Sequence, residues 1–197
     1  MSQEPHPTRS LPQETGHELL EGTVTVAFAD IVDSSGLVQH LGDEHFVRLI
    51  NRLKERVATL ADPHRGLVPR HEGDGWLVVF GSARQALRWA FAFQAEVAAA
   101  AVDVHGFALQ ARVGLHTGES IQSGRDFFGD HVNFAARIAD TAPAGAVHVS
   151  ELTRRIAAGT RDIEFDEPAL IQLRGYAEPA LVYGAHVASP IVDRTDR

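Results

Sequence analysis

The apolar positions of this chain change period several times, and each change marks an element. TVTVAFA, Thr23 to Ala29, is a β-branched and apolar run that reads as a buried strand, with Asp30 standing where the run leaves the core. Phe46, Leu49, Ile50, Leu53, Val57 and Leu60 then recur every three or four residues, the apolar stripe of a helix that ends near Asp62-Pro63. GLVPRHEGDGWLVVF predicts a hairpin, Gly66 to Arg70 and Trp76 to Phe80, around the turn Gly73-Asp74-Gly75. Ala86, Ala90, Phe93 and Val97 predict a second helix. Phe107, Leu109, Ala111, Val113 and Leu115 alternate cleanly, the clearest strand pattern in the chain. FFGDHVNFAARIADTA, from Phe127 to Ala142, has helical spacing and is stopped by Pro143. A short strand at Val147 to Val149, a helix capped near Ser150, and late strands around Ile163 to Leu173 and Leu181 to Val187 complete the order βαββαβαβαββ. This is an α+β pattern, a mixed sheet with its helices largely on one face.

Residues 1–22, rich in Pro, Glu, Gln and His, and residues 189–197, SPIVDRTDR, lack this periodicity and read as tails. Residues 23–188 are left as one folded domain. The 197 residues are 44% hydrophobic and 22% charged, which suits a single globular core. No run approaches the roughly 18 apolar residues of a membrane span, and the polar start MSQEPHPTRSLPQETGHE is not a secretory signal, so a cytoplasmic location with no membrane partner is expected. The absence of cysteine excludes disulfides, thiolate nucleophiles and zinc–thiolate sites. A formal charge of −8 argues against a nucleic-acid partner, and anionic ligands must then be met locally by metals or by a few arginines.

Two acids stand out. Asp30 ends one strand and Asp74 tips the hairpin; if those strands are neighbours, their carboxylates converge into a site for hard cations such as Mg²⁺ or Mn²⁺. The plainer alternatives are a helix cap for Asp30 and a turn residue for Asp74. Asn133 and Arg137, four apart on one helical face, can orient a ribose and neutralise charge on a phosphate, or simply face solvent. The helix follows a Gly-rich segment, HTGESIQSGRDFFGD, that allows close backbone approach to a ligand. Asp33 reads as the cap of the helix after it, and His71 and His116, among histidines without zinc-like spacing, as structural or surface residues.

Taken in order, FADIVDSS, HEGDGWLVVF, RVGLHTGE, FFGDHVNFAARI, PAGAVHVSELT and LRGYAEPALVY resemble the catalytic domain of the class III nucleotidyl cyclases, over about Thr23 to Ala188. The resemblance implies a ferredoxin-like palm core with a mainly antiparallel sheet. It implies two divalent cations, Mg or Mn, on Asp30 and Asp74 with the backbone carbonyl of Ile31, the ribose on Asn133, and the charged transition state on Arg137. Asp126 matches the base-selecting aspartate and Arg174 a basic position that meets the distal phosphates. A homodimer is implied, with metals from one chain and the Asn–Arg pair from the other.

One position departs from the pattern: Arg70 stands where adenylate-forming members carry lysine, and a planar guanidinium is a different donor at a close-fitting purine pocket. Asp126 and a cation at position 70 lean towards ATP, with GTP as the alternative. The reading is therefore an adenylate cyclase making cyclic AMP and pyrophosphate. A cyclase-like nucleotide-binding module with little turnover competes with it, and a diguanylate cyclase is disfavoured because EGDG stands where a longer GGDEF-type signature belongs.

Overall fold

The structure, a computed structural model, describes residues 22–100, 109–123 and 126–189. The expected tails lie outside the described residues except at Gly22 and Ser189, and so does Phe107. The chain runs β1 (Gly22–Ile31), α1 (Ser34–Leu41), α2 (Asp43–Ala61), a 3-10 turn (Asp62–His64), β2 (Gly66–Glu72), β3 (Gly75–Phe80), α3 (Ala83–Ala100), β4 (Ala111–Ser123), β5 (Asp126–Phe128), α4 (Asp130–Thr141), β6 (Val147–Ser150), α5 (Glu151–Ala157), β7 (Ile163–Phe165), β8 (Ala169–Ile171) and β9 (Ala180–Val187). The strands form a sheet in the order β2-β3-β1-β4-β6-β9-β7, with β5 beside β4 and β8 beside β9. The pairing of β4 with β6 is parallel and the other pairings are antiparallel.

The alternation of β1 divides its side chains between two cores. Ala27, Ala29 and Ile31 join Val78, Phe80, Val113 and Leu115 beneath α2 and α3, where Trp89 stacks on Phe93. Val24 and Val26 face the other way, against Val132 and Ala135 of α4. Helix α4 thus takes the opposite face of the sheet from α2 and α3, and this sets it apart for the chemistry below.

Local chemistry explains where the elements start. Asp33, in the left-handed region at φ 53°, caps α1 by accepting from the Gly36 amide, as the sequence predicts. Ser150 caps α5 by accepting from Thr153. Three boundaries differ from the expected ones. The strand predicted around Phe107–Leu115 continues to Ser123, because HTGES goes on pairing with β1 as far as Gly22↔Ser120. The helix expected from Phe127 begins at Asp130, since Asp126–Phe128 pairs with β4, Phe127 is buried, and Gly129 at φ 129° turns the chain. The strand expected over Ile163–Leu173 is two short ones, β7 and β8, with Pro168 between them.

Helix α4 lies unusually close to β4. A Cβ at Gly114 would fall inside contact distance of the Ala139 backbone nitrogen and Cα, and one at Gly118 would meet the His131 ring. His131 in turn contacts Nε2 of the buried His116 through Nδ1 at 3.0 Å, with the rings stacked. From His116 a line of polar groups crosses the sheet: Nδ1 to Ser150 Oγ at 2.8 Å, Ser150 to Thr153 at 3.0 Å, Thr153 to Thr117 at 3.1 Å, and Thr117 to Thr25 at 2.9 Å.

Two predictions follow from this seat. Gly114→Ala forces backbone apart rather than a flexible side chain, so thermal unfolding should show a loss of about 1–3 kcal/mol, the usual cost of overpacking. Burial, helped by the neighbouring His131, lowers the His116 pKa from 6.5 to about 4. Unfolded chains therefore bind the extra proton between those values, and stability that is full above pH 6.5 is lost as the pH falls towards 4. In denaturant titrations across that window, His116→Gln should lose stability less steeply than the parent; an unchanged slope would contradict the assignment.

Candidate active site

Asp30 and Arg112 face each other directly across β1 and β4. Alternation puts Arg112, Gly114, His116 and Gly118 on the α4 side of β4, the side on which Asp30 also points. Arg112 donates from Nε at 3.3 Å and from Nη2 at 2.9 Å to the same oxygen, Oδ2, of Asp30. Both side chains are about a third exposed, at 31% and 34%. Burial raises the Asp30 pKa above its ordinary value; the hydrogen bond from Arg112 opposes this, and the charge of Asp74 adds to it.

Asp74 occupies the turn between β2 and β3, and pairing of Asp30 with Gly75 sets that turn beside the end of β1. The expected neighbourhood of the two acids is therefore present. Ile31 is the last residue of β1, and its side chain is buried, so its backbone is what it can offer a ligand. Two neighbouring carboxylates, the charge of one raising the proton affinity of Asp30, with a carbonyl next to Asp30, are hard oxygen donors of the kind Mg²⁺ and Mn²⁺ take. Among the described residues no group of three acids or histidines gathers, so such cations would need ligand oxygens from solvent or from a bound phosphate chain.

A cavity of about 200 Å³ opens at this point, walled by Phe28, Trp76, Leu77 and Ala136 and edged by Asp30, Arg112 and Asp140. His71, expected to be structural or superficial, is exposed and also lines it. Asn133 and Arg137 do not line it. They stand on the outward side of α4, Asn133 exposed and Arg137 donating from Nη1 to Asp140 Oδ2 at 3.0 Å. Asp140 Oδ1 also lies 3.7 Å from Arg112 Nη2. One carboxylate thus meets both arginines.

The remaining expected residues lie around α4 and the hairpin. Asp126 begins β5, and its Oδ1 accepts from the Phe127 amide at 2.9 Å. Arg174 is exposed on the turn before Gly175, which at φ 89° lets the chain reverse. Tyr176 ties this turn to the first turn of α4 by donating to Asp130 Oδ1 at 2.8 Å, and burial, with that bond, pushes its pKa up to about 12. The backbone of Arg70 pairs with Leu77, while its side chain lies outside the described residues.

Arg112 and Asp140 were not singled out by the sequence. The signal for Arg112 was available in the polar half of the cleanest alternating strand, opposite an acid on the neighbouring strand. Asp140 offered only its spacing, three residues beyond Arg137.

A family model described as the adenylate and guanylate cyclase catalytic domain matches residues 19–185. A protein of Rhizobium meliloti named "Putative adenylate cyclase 3" is 35% identical over 156 residues, covering 79% of this chain but 27% of that protein. The chain thus spans about a quarter of that relative's length. Among solved structures, the adenylyl cyclase CyaB from P. aeruginosa superposes with a TM-score of 0.74 at 22% identity, over 87% of this chain and 96% of that one. The guanylyl cyclase Cya2 does so at 0.75 and 23% identity, over 88% and 98%. Those two likenesses concern the fold, and the match over residues 19–185 decides kinship: the chain belongs to the class III adenylate and guanylate cyclase catalytic-domain family.

Proposed function

We propose that residues 23–188 form an adenylate cyclase domain that converts ATP to cyclic AMP and pyrophosphate in a homodimer. The observation that supports the reading is the pairing of Asp30 with Gly75, which sets the turn carrying Asp74 beside the end of β1, near enough for its charge to raise the Asp30 pKa. Bound to Asp30, Asp74 and the Ile31 carbonyl, two divalent cations would neutralise the triphosphate and make the ribose 3′-hydroxyl more acidic.

The chain's own groups do the rest. Asn133 orients the ribose, Arg137 neutralises charge growing at the α-phosphate, and Arg174 meets the outer phosphates. Asp126, its carboxylate aimed by the Phe127 amide, accepts from the adenine amino group, and Arg70 takes the neighbouring edge of the purine. Three features favour a site shared between two copies. The cavity of about 200 Å³ is smaller than the ~300–1,000 Å³ typical of ligand pockets. Asn133 and Arg137 stand outside it. Ile121 and Phe128, paired across β4 and β5, are 71% and 47% exposed, an apolar arm suited to a second copy.

Purified protein incubated with ATP or GTP and Mn²⁺ or Mg²⁺ should yield cyclic AMP, and Asp30→Ala and Asp74→Ala should abolish it. Arg137→Ala should lower kcat by about 10²–10³, the cost of removing one charge-stabilising donor. Cyclic GMP would mean that Arg70 has re-aimed the purine pocket, and nucleotide binding without product would favour a binding module. Mixing the Asp74→Ala and Arg137→Ala chains should restore about one quarter of parental activity, from one intact site in each mixed dimer. No recovery would contradict the shared site.

A further inference from the structure

Arg112 spends both of its hydrogen bonds to Asp30 on one oxygen, the group that the proposed function assigns to a cation. A divalent ion on that carboxylate repels the guanidinium, which must then leave, and what it leaves for decides how much the exchange costs. Asp140 is already beside it. The same Nη2 that lies 2.9 Å from Asp30 Oδ2 lies 3.7 Å from Asp140 Oδ1, so a shift of less than an ångström changes its partner.

Asp140 is prepared for this. Its other oxygen, Oδ2, accepts from Arg137, which anchors the carboxylate before Arg112 arrives and reduces the side-chain freedom still to be lost. The residue also sits in the last turn of α4, where a negative charge opposes the helix dipole. A carboxylate there is unfavourable for the helix alone, and the two arginines offset that cost. The close seat of Ala139 against Gly114 fixes the distance of α4 from β4.

We propose that Asp140 is a positioning residue: it is the second seat of Arg112, receiving the guanidinium when Asp30 takes a divalent cation, and it holds Arg112 and Arg137 together on one carboxylate. This rests on the assignment of Asp30 and Asp74 as cation ligands. It makes Asp140 the link between the arginine beside the cations and the arginine that the shared site lends to the partner copy.

The test is Mn²⁺ affinity, measured by calorimetry on the nucleotide-free full chain, so that it is read without turnover. Asp140→Asn should weaken Mn²⁺ binding by about 1.5- to fivefold, the range of an ion pair at this exposure, and Asp140→Glu should recover most of it. Arg112→Gln should tighten binding by removing the competitor from Asp30. In the Arg112→Gln background, Asp140→Asn should then have little further effect, because the group it seats is gone. An equal loss in both backgrounds, or none in either, would overturn the proposal and leave Asp140 a distant charge or a surface residue. Mn²⁺ binding indifferent to Asp74→Ala would overturn the cation assignment and the seat with it, whereas binding lost in Asp74→Ala with additive Asp140 and Arg112 effects would overturn the seat alone.

Discussion

The absence of side chains at Gly114 and Gly118 is the constraint on which the site depends, because it lets the backbone of α4 rest against the face of β4. The reach of the α4 side chains to the polar groups of that face is set by this distance. Asp30 and Arg112 meet because β1 and β4 are in register, but Asp140 reaches Arg112 only because no methyl group holds the helix away. Bulk at either glycine would part Arg112 of β4 from Asp140, which moves with Arg137 on α4, before it moved either the acid of β1 or that of the hairpin.

The local charge pattern also departs from that of the whole chain. A net charge of −8 offers a triphosphate little attraction, so the approach of an anion depends on where the few arginines are placed. Arg112 and Arg137 are each held by a carboxylate in the described chain, Arg112 by Asp30 and Arg137 by Asp140. Ligand binding in such a place is an exchange of ion pairs rather than the filling of a vacant positive patch, which moderates its electrostatic gain.

Much of this was legible in the sequence, and the reasons for the rest are physical. The neighbourhood of Asp30 and Asp74 was legible because a strand end and a Gly-Asp-Gly turn advertise themselves locally, and the pairing of β1 with β3 brings them side by side. The length of β4 could not, because HTGESIQS has the glycine and polar content of a loop and becomes a strand through its partners in β1 and β5. The same bias made DFF look like the start of a helix, although Phe127 is buried in a strand ahead of Gly129. Arg112 was hidden because the apolar half of its strand is the stronger signal, and its polar half gains meaning only beside Asp30 of β1. His116, read as structural or superficial, is buried, and its partners on three other elements, His131, Ser150 and, through Ser150, Thr153, are long-range facts that no spacing encodes.

The row of groups from His131 to Thr25 has a sense of direction. Each hydroxyl owns a single proton, so for every contact to be a hydrogen bond the donors cannot be assigned independently. If His116 Nδ1 accepts from Ser150, then Thr153 must donate to Ser150, Thr117 to Thr153 and Thr25 to Thr117; if Nδ1 carries the proton, the row is free to run the other way. The tautomer of one imidazole beneath α4 therefore governs how a hydroxyl points on the far side of the sheet, and the two faces share a polarity that no rigid displacement is needed to transmit.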